Sequence, residues 1–178
     1  AYTNVLVDRW STDWDDTNVD DVQVAGDDVK LYTNLVFAGI EATSQPIDAS
    51  SMERFRLDVW TPDPTTPPSV FKVKLVDFGA DGSFGGGDDV EHELTFDATT
   101  TPAVTPGAWS TIDVPFSDFT GLTTRSNIAQ MILVIISAFT GQNDKFLVPA
   151  APVAIHMAEE VPDGNRLGDA VVELIVNI

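Results

Sequence analysis

Apolar and polar residues alternate with a period of two along much of this chain. In residues 54–61, Phe55, Leu57 and Val59 share one phase, and Arg54, Arg56, Asp58 and Trp60 share the other. Farther on, Ile112, Val114 and Phe116 oppose Trp109, Thr111 and Asp113. In residues 29–37 the same reading sends Val29, Leu31, Leu35 and Phe37 to the core and Lys30, Tyr32 and Asn34 to water. Such alternation marks strands with one packed face and one wet face, as in antiparallel sheets. Clusters of Pro, Gly and Asp punctuate the pattern, among them residues 61–64, 66–68, 105–107 and 162–164. The pattern predicts strands at 4–10, 21–25, 29–37, 40–43, 54–61, 70–78, 91–97, 109–115, 128–136 and 170–177. Short helical turns are predicted at 50–53 and 124–129. The expected fold is all-β, two stacked antiparallel sheets forming a β-sandwich or jelly roll.

Residues 1–136 carry this alternation throughout. Residues 137–178 differ: an Ala/Pro-rich stretch leads through an acidic turn to a final apolar run. This tail is expected either to complete the sandwich or to lend its last strand to a neighbouring copy.

Charge narrows the partners. The net charge is −19, from 28 acidic and nine Lys or Arg residues. Nucleic acid and anionic membranes would both repel such a chain. Cys is absent, so no disulfide and no thiolate chemistry is available. The longest strongly apolar run, residues 131–136, is too short to cross a bilayer as a helix. A start at Ala1-Tyr2-Thr3 suits a processed secreted chain and equally a trimmed one.

Residues 77–91 read D-F-G-A-D-G-S-F-G-G-G-D-D-V-E. Calcium takes six to eight oxygens from carboxylates and carbonyls, and glycines let a short segment turn them inward. Asp77, Asp81, Asp88, Asp89 and Glu91 are the expected ligands. The spacing is not that of an EF-hand. A solvated acidic hairpin is the plainer alternative. A second, weaker candidate comprises Asp13, Asp15, Asp16, Asp20 and Asp21.

Five of the nine cations, Lys30, Arg54, Arg56, Lys72 and Lys74, fall on the non-core phase of predicted strands, and Tyr32 and Trp60 share it. A flat aromatic ring can stack on the apolar face of a pyranose while planar polar groups bond its hydroxyls. Trp60, Tyr32, Arg56, Arg54, Lys72, Lys74 and Asn34 are therefore the candidate ligand contacts, with cross-strand ion pairing as the competing role for the charged ones. Nothing resembles a nucleophile elbow, a metal–His motif or a phosphate loop. His92 shares a phase with Leu94 and Phe96 and reads as packed. A non-catalytic protein is expected.

Several segments then resemble a known group. They include Asp27-Asp28-Val29-Lys30-Leu31-Tyr32-Thr33-Asn34-Leu35, Pro46-Ile47-Asp48-Ala49-Ser50-Ser51-Met52 and Leu57-Asp58-Val59-Trp60-Thr61-Pro62-Asp63. Pro106-Gly107-Ala108-Trp109, residues 112–119 and Ile128-Ala129-Gln130-Met131-Ile132 continue the series in the same order. Over residues 2–136 the chain resembles the non-catalytic modules appended to secreted bacterial polysaccharide hydrolases, including laminarinase-like ones. The resemblance implies a galactose-binding-like jelly roll, structural calcium, an extracellular location, and binding to polysaccharide, either a β-glucan or an acidic marine glycan. It does not extend to 137–178, where the closing strand of such modules is missing. That gap motivates an alternative: a surface or filament-forming protein assembling with copies of itself.

Overall fold

The computed structural model describes residues 6–136 and 145–149. In chain order the strands are β1 (Asp16–Val24), β2 (Asp27–Glu41), β3 (Arg54–Trp60), β4 (Val70–Asp77), β5 (Val90–Phe96), β6 (Trp109–Pro115), β7 (Ile128–Ile136) and β8 (Lys145–Pro149). A single 3-10 turn, Phe116–Asp118, follows β6. The strand order is β5-β4-β7-β2-β8-β3-β6, and β1 pairs with β2 off that path. Every pairing is antiparallel.

The long strand β2 turns one sheet into two layers. Its first half lies between β1 and β8. Its second half pairs with β7. One layer is thus β5, β4, β7 and the end of β2; the other is β1, the start of β2, β8, β3 and β6. The inner faces meet in a core that includes Phe55, Leu57, Val73, Ile112 and Leu133. Phe71 of β4 stacks on Phe146 of β8 across the core, centroids 4.6 Å apart. Burying each such ring contributes about 1.5–3 kcal/mol.

Alternation located β3, β4, β6 and β7 almost to the residue. It misread β2. The predicted strands at 29–37 and 40–43 are one strand, interrupted inside by an irregularity rather than a break. Between the pairs Asp16↔Phe37 and Asn18↔Thr33, β2 advances further than β1, and Asn34 adopts a φ of 53°. Because of that bulge, core positions run Tyr32, Leu35, Ala38, Ile40, not in strict twos.

Three other expectations change. Residues 6–10 hold no strand beyond a single bridge from Arg9 to Glu41. The strand expected at 21–25 begins earlier, at Asp16, as β1; the Asp residues of its first half hide its β character in the sequence but suit an exposed edge. No helix forms at 50–53 or 124–129. Arg125 ties the two segments instead, its guanidinium donating to Met52 O (3.0 Å) and Ser50 O (3.3 Å). The strand expected at 170–177 lies outside the described residues, whereas β8, from the same tail region, sits between β2 and β3.

Candidate functional site

The outer face of β3 and β6 carries the densest mixture of aromatic and polar groups. Register sets it. Phe55, Leu57 and Val59 pair with Val114, Ile112 and Ser110 on the inner side. The outward pairs are Arg54↔Pro115, Arg56↔Asp113, Asp58↔Thr111 and Trp60↔Trp109. Trp60 and Trp109 are direct cross-strand neighbours, both partly exposed. Directly opposed side chains in an antiparallel pair have Cβ atoms about 4.5–5.5 Å apart. Trp60 also bridges to Leu147 of β8. Two indoles thus close one end of a strip of charged groups.

Those charges are matched within the strip. Arg54 Nε donates to Asp113 Oδ1 at 2.7 Å, and its Nη2 donates to Asp113 O at 3.1 Å. Arg56 Nη2 lies 3.8 Å from Asp58 Oδ2, with both side chains largely covered. Thr111 Oγ1 donates to Asp58 Oδ1. A cross-strand pair holds Arg54 and a pair within β3 holds Arg56, and the strip carries two positive and two negative groups.

The other expected contacts lie elsewhere. Lys72 and Lys74 stand on the outer face of β4, in the opposite layer, paired with Glu93 (2.7 Å) and Glu91 (2.9 Å). The two layers face each other through Phe71 and Phe146, so the lysines point away from Trp60. Tyr32 is a correction. Its ring is fully buried in the core, and its hydroxyl donates to Trp10 O at 2.7 Å. Burial raises its phenol far above the ordinary value, with the Asp15 and Asp21 charges adding to the effect. That satisfied hydroxyl is what allows a polar-tipped ring into the core. Asn34 is exposed, but it serves the bulge in β2 and lies outside the strip.

The acidic loop is organised by backbone N–H groups. Asp77, fully buried at the end of β4, accepts from Gly79 N (2.8 Å), Asn127 N (2.9 Å) and Thr124 Oγ1 (3.2 Å). Asn127 Nδ2 in turn donates to Gly79 O at 2.7 Å. Asp88 accepts from Ala80 N at 2.6 Å, Asp81 from Ser83 N at 2.8 Å and Asp89 from Gly85 N at 2.7 Å. Gly79 has φ of +67°, and a Cβ there would lie 2.3 Å from Asp88 Cγ. Glu91 is engaged with Lys74. Among the described residues, no three acidic or His side chains gather around a point that could hold a metal. The second acidic candidate is likewise dispersed. Asp15 accepts from Ser11, Thr12 and Gly39, and Asp21 pairs with Lys30. His92 packs edge-on against Phe119, and its Nδ1 accepts from Gly121 N at 3.0 Å.

In the sequence Trp109 shows only as an aromatic on the outward phase of the strand predicted at 109–115. Its position opposite Trp60 depends on a pairing between strands some fifty residues apart, |i−j| = 53 for the Thr111–Asp58 contact beside it. Shared outward phase was the only available signal.

No protein-family model and no curated protein sequence matches the chain. Solved structures do. The chain is similar to a family 30 carbohydrate-binding module with a TM-score of 0.58 at 10% identity, covering 89% of this chain and 83% of that one. A second family 30 structure gives 0.58 at 11% identity, with 89% and 99% covered. The family 11 carbohydrate-binding module of a cellulosomal cellulase from Clostridium thermocellum gives 0.51 at 15% identity, with 83% and 85% covered. This likeness establishes the fold: the chain is an antiparallel β-sandwich of the jelly-roll kind seen in carbohydrate-binding modules.

Proposed function

We propose that the chain is a non-catalytic, extracellular module that binds polysaccharide on the outer face of β3 and β6. The observation that carries this reading is the Trp60–Trp109 pair, partly exposed and flanked by ion-paired Arg and Asp side chains. Two adjacent indoles offer an apolar surface to the C–H face of successive sugar rings. The paired Arg54, Arg56, Asp58 and Asp113 offer donors and acceptors to hydroxyls without presenting net charge. That balance, together with the net charge of −19, favours a neutral β-glucan over an acidic glycan, which the whole chain would repel. A fold shared with carbohydrate-binding modules supports the same reading.

Calorimetry with a soluble neutral β-glucan tests it. Trp60→Ala or Trp109→Ala is expected to weaken binding about tenfold, roughly 1.4 kcal/mol. Full affinity in both variants would overturn the reading.

Calcium as a stabiliser of residues 77–91 is a separate proposal, supported by their carboxylate density and by Asp89 Oδ1, which is buried without a partner. It requires the loop carboxylates to regroup. A rise in Tm on adding calcium, reversed by chelation, supports it; an unchanged Tm leaves the N–H bonds as the loop's support.

A further inference from the structure

The opposite outer face carries its own aromatic surface. On β2 and β7 the outward pairs are Phe37↔Val134, Gly39↔Ile132 and Glu41↔Gln130. Trp14, from the turn before β1, lies over them. Its ring stacks on Phe37 with centroids 6.1 Å apart and planes 17° from parallel. It occupies the space left by Gly39: a Cβ there would lie 2.5 Å from Trp14 Cη2. The turn is fastened to the sheet by Asp15, whose Oδ2 accepts from Thr12 N (2.8 Å) and Gly39 N (3.2 Å). So the indole is held against the sheet on one side, yet 45% of the residue's surface stays open.

The surroundings favour an uncharged, amphipathic ligand. Ile132 and Val134 are partly exposed on this face, and Ile136 is 47% exposed. Lys72 and Lys74 border them and are neutralised by Glu93 and Glu91. Thr12 Oγ1, beside Gly39 and the ring, is buried without a hydrogen-bond partner and does not reach the open face. A preorganised ring with an open face, beside apolar neighbours and polar groups, is an arrangement on which a sugar ring can stack.

We infer that Trp14 and Phe37 form a second glycan-stacking site, for a neutral glycan chain, on the layer opposite Trp60 and Trp109. The inference rests on the polysaccharide reading for the class of ligand but not on the Trp60 face itself. The two faces lie on opposite sides of two packed layers, so one straight chain does not reach both. The module would bridge two glycan chains.

Calorimetry of the full chain with a β-glucan hexasaccharide separates the two readings. Two ligands per chain are expected. Trp14→Ala leaves one, bound at the Trp60 face, and abolishes cross-linking of long β-glucan while retaining binding. Gly39→Ala, which pushes the indole off the sheet without removing it, is expected to weaken the second site at least fivefold and serves where Trp14→Ala lowers Tm. One ligand per chain, unaffected by either variant but lost in Trp60→Ala, overturns this inference and leaves the first reading standing. Loss in Trp14→Ala with Trp60→Ala silent sustains this site and overturns the first. Dimers that Trp14→Ala dissolves, with no hexasaccharide bound there, would mean that a second copy covers this face, and overturn the inference.

Discussion

Single residues in this protein act mainly by satisfying buried polar atoms. Asp77 is the clearest case: a fully buried carboxylate whose three donors come from two separate loops. Asp77→Ala strands those donors, which cost roughly 1–3 kcal/mol each when buried and unpaired. Chemical denaturation should show a loss of at least 2 kcal/mol, and a loss below about 0.5 kcal/mol would contradict this role. Other carboxylates contribute through pH. Hydroxyl and backbone N–H bonds from Ser44 lower the pKa of Asp8, those from Ser50 lower Asp48, and those from Thr99 lower Asp97. A depressed folded pKa gives stability above the unfolded value, near 3.9, that is lost as pH falls through the folded value. Tm should therefore drop below about pH 4. In Ser44→Ala the folded pKa of Asp8 moves back toward the unfolded one, so the variant should lose less Tm between pH 6 and pH 3 than the parent; an equal or larger loss would count against it.

At the scale of elements, legibility followed regularity. Strands β3 and β6 could be read because every inward position is apolar or small and every outward one except the terminal Pro115 is polar or aromatic. Strand β2 could not, because both of its phases carry large rings and the bulge at Asn34 resets the phase midway. Tyr32 was assigned to water on strict alternation and belongs to the core. The candidate site divided along the same line. Arg54, Arg56 and Trp60 were legible as one face from one strand; their separation from Lys72 and Lys74, and the meeting of Trp60 with Trp109, are facts of strand order that local pattern does not carry. The bulge itself is testable. Asn tolerates the left-handed region and a β-branched residue does not. Asn34→Val should cost about 1–3 kcal/mol, while Asn34→Gly should be close to neutral by the same denaturation assay. Equal stability of the two would show that the bulge is not fixed by residue 34.

For the molecule as a whole, two layers joined through β2 present two outward faces, each with an aromatic surface and internally paired charges. The net charge of −19 sets what approaches them: polyanions are repelled over the whole surface, and screening by salt weakens that repulsion. Neutral-glucan binding should accordingly change little between low and physiological salt. The most direct measurement is calorimetric titration of the full chain with neutral β-glucan alongside Trp60→Ala and Trp109→Ala. The parent is expected to bind, insensitive to salt, and each variant to bind about tenfold more weakly, a difference of roughly 1.4 kcal/mol. Binding of equal strength in all three proteins, or binding only to an acidic glycan, would contradict this.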